Sequence, residues 1–258
     1  MRYFIVLALL FAAAVFSEGK KELVVPDISS DIPANDKWGD INTLPVFKEL
    51  EILEMISKDY SKNFIKESRE YYTDSVQSYQ KARDEIKKNR DDAGNNPQFL
   101  KYEWQKKAHE DALDREEKRA IIKARHNSIV LLIKAMKSTD KIKNPEIRES
   151  ADFIELKASV YREYIKHQVA LNNFQQASTI LDSYFSLGEK YEKDSEAHKL
   201  QALCYDKFME SANKMKDADA YYIHRDRKNR HLLKFTELKY GKESVEYKRV
   251  VEAVSNEL

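Results

Sequence analysis

Glycine and proline are scarce in this chain: five of each in 258 residues, where average usage would give roughly thirty together. That shortage excludes β-sandwiches and barrels, which spend turn residues every 8–12 positions. It also excludes glycine-rich loops that cradle phosphate. Cysteine occurs once, at Cys204, so no internal disulfide can form. No charge sign dominates, with 45 basic residues against 44 acidic, so no overall field draws the chain to nucleic acid. What the sequence has in quantity is charge (34% of residues) and tyrosine (15 residues). Together these point to long solvated helices.

The longest apolar run is Phe4 to Phe16, which follows Arg2 and ends in Val15-Phe16-Ser17, before Glu18. At 1.5 Å per residue it covers about 20 Å, short of a ~30 Å hydrocarbon core. A basic start, an apolar centre and small residues at a cleavage point are the order of a secretory signal, so residues 1–17 are expected to be removed. Removal takes away Arg2 and leaves 44 cations balancing 44 acids. With one cysteine and no Asn-x-Ser/Thr acceptor, a bacterial periplasm is the expected compartment, with no membrane span after cleavage. Cys204 sits in the apolar helical stretch Leu200–Tyr205 and reads as a buried structural thiol.

Half of the ten punctuating residues fall by Pro45. Residues 18–44 therefore read as an extended leader with one large anchor, Trp38, acting as a tether or as a strap docked through that ring. Thr43-Leu44-Pro45 can start a helix. Apolar and aromatic residues at Val46, Leu50, Leu53, Ile56, Tyr60, Phe64, Tyr71, Tyr72, Val76, Tyr79 and Ile86 form one helical stripe, unbroken up to Asp91–Gly94. A second long helix is expected from about Gln98 to Ser138. Its middle, Lys106 to Arg119, holds ten charged residues in fourteen positions and only Ala108, Ala112 and Leu113 as apolar contacts, so residues 45–144 predict a thin antiparallel hairpin. Ile129–Ile133 is apolar on every face, which places the main core near that end of the second helix and the start of the first. Beyond Asn144-Pro145 the pattern predicts helices to Leu171, from Phe174 to Leu187, from Asp194 or Ser195 to Met215, from Asp217 or Asp219 to Tyr240, and from Ser244 to Leu258. The expected fold is all-α: an elongated stack of hairpins with two very long helices, about seven helices and no sheet. Residues 145–258 form a bundle on the hairpin base.

No constellation for catalysis emerges. The six histidines include no pair at i,i+4 and no His-Glu-x-x-His, so they read as solvated side chains rather than metal ligands. There is no Gly-x-Ser-x-Gly. The expectation is a non-enzyme with no cofactor and no metal. Arg227, Arg230 and Lys234 share one helical face, either as a solvated basic face or as a docking site for an acidic partner. The pairs Tyr71-Tyr72 and Tyr221-Tyr222 point about 100° apart on a helix, so one of each should reach the surface. Tyrosine joins large contact area to a polar tip. The expected protein contacts are therefore Trp38, Tyr72, Tyr102, Tyr222 and the basic face.

Two resemblances add to this. Asn172-Asn-Phe-Gln-Gln-Ala177-Ser-Thr-Ile-Leu181 resembles the turn and second helix of a tetratricopeptide repeat, with Phe174, Ala177 and Leu181 at its aromatic, small and apolar positions. Ile165 and Glu189 depart from that pattern, where a small residue and a proline are usual. As a whole, the cleavable signal, the leader to Trp38, the Tyr- and Lys-rich hairpins and the segment Tyr161–Phe208 resemble the periplasmic flagellar-coiling proteins of spirochaetes. That resemblance implies a sheath component on an internal flagellar filament that influences its curvature, with filament or sheath subunits as partners and lateral self-association. The alternative is a periplasmic adaptor or chaperone whose helical hairpins hold a protein client.

Overall fold

The computed structural model describes residues 45–94 and 102–256, and Trp38, the leader and the signal lie outside them. The chain divides into two units, Met1–Ile52 and Leu53–Leu258. Among the described residues there are nine helices and no strand: α1 (Pro45–Gly94), α2 (Glu103–Asp140), α3 (Pro145–Arg148), α4 (Ala151–Ala170), α5 (Phe174–Phe185), α6 (Glu189–Glu192), α7 (Ser195–Met215), α8 (Ala218–Tyr240) and α9 (Val245–Asn256). Two single turns account for the difference from seven. The helix expected from Pro145 to Leu171 breaks because the Ser150 hydroxyl accepts the Phe153 N–H, starting α4 anew. Gly188, at φ +136°, opens the extra turn α6 with a backbone that residues bearing a Cβ rarely adopt.

α1 and α2 run antiparallel. The Ser138 hydroxyl donates to Glu67 at 2.9 Å, the Ser75 and Ser128 hydroxyls lie 2.5 Å apart, and Arg90 donates to Asp114 at 2.6 Å and also to Glu117. Partner numbers fall as α1 rises. Ser61, Ser68 and Ser75 are buried at seven-residue intervals, and Ser128, Ala135 and Ile142 repeat the same interval from the other side. A seven-residue repeat keeps one seam facing its partner, and small side chains on that seam set how closely the axes approach.

The first core joins Ile129 and Leu132 of α2 to Leu156, Val160 and Tyr164 of α4, with Ile65, Tyr71 and Tyr72 of α1 packed against it. The second joins Tyr161 and Ile165 of α4 to Ala177, Leu181 and Tyr184 of α5, Tyr191 of α6 and Cys204 of α7. Each large apolar side chain taken from water contributes about 1.5–3 kcal/mol. α8 lies along α7, and α9 along α8.

Two expectations about the core are corrected. Val130 is 53% exposed, because α2 meets its neighbours on one side only, so the Ile129–Ile133 run is not buried all round. The start of the first helix is not core either. Leu53, Met55, Ile56 and Tyr60 are all about half exposed or more. α2 has already ended opposite Phe64, where Lys141 lies 5.0 Å over the ring. Beyond that point, Lys58 reaches Glu146 of α3 at 2.7 Å. From Gln80 of α1 and up to Lys123 of α2, no described side chain is buried, so this part of the hairpin is a two-helix arm without a core, as its charge predicts.

Candidate protein-interaction surfaces

Where α1, α2 and α4 meet, a polar network replaces apolar packing. Ser128 Oγ lies 2.9 Å from His167 Nε2, and Arg125 Nη1 lies 3.3 Å from His167 Nδ1. A guanidinium only donates, so Nδ1 accepts and Nε2–H donates to Ser128. Ser128 then donates to Ser75, and Ser75 donates to the Ser128 carbonyl at 3.2 Å. Tyr79 meets the imidazole edge-on at 4.6 Å, and Arg125 lies 5.3 Å over the Tyr79 ring. Burial holds the His167 pKa down at about 4, so the ring is neutral and the network carries no buried cation on it.

A second network ties α4 to the helices after it. Arg162 donates to the Tyr184 hydroxyl at 2.5 Å, and that hydroxyl donates to Asp194 at 2.7 Å. Asp194 also accepts the Glu196 and Ala197 N–H groups as the N-cap of α7. Burial opposes its ionisation, but these donors and the Arg162 charge outweigh that and keep its pKa below the usual carboxylate range. Burial, reinforced by Asp194, pushes Tyr184 up to about 12.

The third cluster is a stack of rings between α5, α7 and α8. His198 Nε2 faces the Glu192 carbonyl at 2.8 Å and so carries its hydrogen there. Its Nδ1 accepts from His231 Nδ1 at 2.9 Å. Phe185 stacks on both imidazoles, and Tyr205 stacks on His231. Burial lowers His231 to about 4. The expectation of solvated histidines is thus corrected for His167 and His198, which are buried; their apolar helix neighbours concealed this. Cys204 is buried, and burial pushes its thiol up to about 12.

Of the expected contact residues, Tyr102 and Tyr222 are 59% and 55% exposed. Tyr102 lies parallel to Trp104, a 68% exposed ring that the sequence reading did not single out. Arg225 sits 4.9 Å over Tyr222. Tyr71 and Tyr72 are both half-buried and pack against the first core. The basic face is largely self-neutralised. Arg230 pairs with Asp226 at 2.6 Å, Lys234 meets Glu237 at 3.5 Å, and Arg227 lies over the Tyr205 ring at 5.8 Å. Arg227 also borders an open groove of about 350 Å³ between α5, α7 and α8, with Tyr205, Phe208, Met215 and Asp182.

Among the described residues no group of three or more His, Cys, Asp or Glu side chains is placed to hold a metal ion. None of their helices is long and apolar enough to cross a membrane. What the surfaces offer is contact area. Comparison with known proteins agrees in kind: the sequence matches the FcpA (flagellar coiling protein A) family over residues 30–257. The chain belongs to the FcpA family. No curated protein matches it. FcpA is a structural family associated with periplasmic flagella, flagellar coiling and motility, and it is not known for enzymes.

Proposed function

We propose that this member of the FcpA family is a non-enzymatic sheath component of a periplasmic flagellum, exported by residues 1–17, which contacts other filament or sheath subunits and influences filament curvature. The observation that carries this reading is the bare start of α1. Leu53, Met55, Ile56 and Tyr60 expose large apolar side chains within eight residues, and exposed apolar surface of this kind marks a contact site. Tyr102, Trp104 and Tyr222 add amphipathic surface of the type enriched at interfaces. Immunogold labelling of isolated flagellar filaments tests the proposal. Label along the filament supports it, and filaments free of label while the envelope is marked throughout refute it.

A second reading rests on a different observation. Ala177 is fully buried where α5 meets α4, and Leu181 follows it into the core, beside the groove at Arg227, which supports a tetratricopeptide-like reading of this hairpin. That favours an adaptor holding a protein client. Pull-down separates the two readings, because an adaptor captures soluble clients and a sheath component co-purifies with filaments.

A further inference from the structure

We infer that α8, with α9 upon it, is a proton-operated cover: the imidazoles of His198 and His231 latch it to α5 and α7 while they share one hydrogen, and proton uptake by the pair releases it. The latch is set by geometry. His198 commits its Nε2 hydrogen to the Glu192 carbonyl at 2.8 Å, and its bare Nδ1 accepts the Nδ1 hydrogen of His231 at 2.9 Å. A neutral imidazole has one N–H, so this arrangement satisfies both contacts with both rings neutral. A proton added to His198 has only Nδ1 to occupy, where it meets the His231 hydrogen head-on. A proton added to His231 goes to Nε2 and places a cation in the stack with Phe185 and Tyr205. The docked pair therefore resists a first charge and has no room for a second.

The charged groups around the pair are divided. Glu192 of α6 and Asp194, the N-cap of α7, favour a charged His198, and Lys234 of α8 opposes it. Arg230 of α8 and His198 itself oppose a charge on His231. α5 brings the Phe185 ring, which carries no charge. Burial is the largest influence on both histidines and holds His231 at about 4, below the ordinary 6.5. Between those values the docked pair binds fewer protons than the released one, so falling pH favours release.

α8 depends on this latch because little else of it is sealed from water. Of its 23 residues, Asn229 and Thr236 are the buried ones, and both are polar. Leu232, Leu233 and Phe235 are half-buried. α5, by contrast, seals Ala177, Leu181 and Tyr184 into the second core. An ion pair also runs from α8 to α7, Lys239 with Glu196 at 3.7 Å, but both side chains are exposed, and such pairs add little. α9 has no buried residue and lies along α8, so it leaves with it. Release bares Phe185 and Tyr205. It also removes the wall that Ala220, His224 and Arg227 give the groove of about 350 Å³. The core shared by α4, α5, α6 and α7 contains no residue of α8 among its buried members, so it remains closed.

Hydrogen-exchange mass spectrometry of the purified chain at about pH 7.5 and about pH 5, corrected for intrinsic exchange rates, tests the inference independently of the filament role proposed above. At the lower pH the α8 and α9 peptides should exchange together, ahead of those of α4 and α5. Their protection should fall at least about tenfold between the two conditions, as proton linkage requires of a group whose pKa is this depressed. His198→Gln/His231→Phe keeps an N–H for the Glu192 carbonyl and a ring against Phe185 and Tyr205, but removes both titrating groups. Its α8 and α9 should lose no more than about threefold over the same interval, because the linked proton uptake is gone. Loss of protection by α8 and α4 as one unit in the wild type, unchanged α8 protection at the lower pH, or an undiminished fall in the folded double variant would each overturn the inference. If the double variant does not fold, the order of exchange in the wild type decides alone.

Discussion

Ser128 Oγ and His167 Nε2, 2.9 Å apart, join α2 of the hairpin to α4 of the helices that follow. Both residues are fully buried, and each also serves a further partner. Buried polar groups are costly when a partner is removed. His167→Ala should therefore destabilise the fold by about 2–4 kcal/mol, combining a cavity with unsatisfied Ser128 and Arg125. His126→Ala, on the exposed side of α2, should change stability by no more than about 0.5 kcal/mol. Urea denaturation of both variants measures the difference.

Stability should fall on mild acidification. The folded-state pKa values of His167 and His231 lie near 4, below the ordinary 6.5, so between pH 6.5 and pH 4 the unfolded chain binds more protons than the folded one. Stability is complete above about pH 6.5 and is lost as pH drops toward 4, with a slope of about 1.4 kcal/mol per pH unit for each proton taken up. The depressed carboxylates, such as Asp194, add to the loss only below this window. Thermal melts at intervals across the window should show the decline, and His167→Gln should flatten it.

Tyr184 and Asp194 separate two contributions at one point. Tyr184→Phe removes one hydroxyl between Arg162 and Asp194 and should cost about 1–2 kcal/mol. Asp194→Ala removes the same link and also the N-cap of α7, adding about 1 kcal/mol. Chemical denaturation should rank Asp194→Ala as the more damaging substitution.

Cys204 should resist thiol reagents at pH 8 while the chain is folded, since burial hides the sulfur and pushes its pKa up to about 12. Its labelling rate should follow unfolding, rising with urea as the folded fraction falls. Rapid labelling of the native chain would show that α7 opens locally.

Much of the architecture was legible because it is periodic. The stripe from Leu50 to Ile86 and the stops at Gly188 and Gly241 mark α1, α5 and α8 directly, and the charged run from Lys106 to Arg119 marks the coreless arm. The site was less legible for a physical reason. A histidine in an amphipathic helix looks alike whether it is solvated, as His126 is, or locked between helices, as His167 is. The decision lies in Ser75 and Ser128, some 40 to 90 residues away along the chain, which a local pattern does not register. Tyr72 is half-buried for the same reason, since the first core it packs against is built from α2 and α4. The bare start of α1 was hidden by its own apolar stripe, which reads as core until the end of α2 is known.

The central claim is that this chain works by contact along a flagellar filament. Cryo-electron tomography of intact cells, with the chain tagged and with Leu53→Glu/Ile56→Glu beside the wild type, tests it most directly. The account predicts density of the tagged chain along the filament for the wild type, and its loss for a variant whose folded stability is unchanged. Wild-type density dispersed through the envelope, with filaments bare, would contradict it.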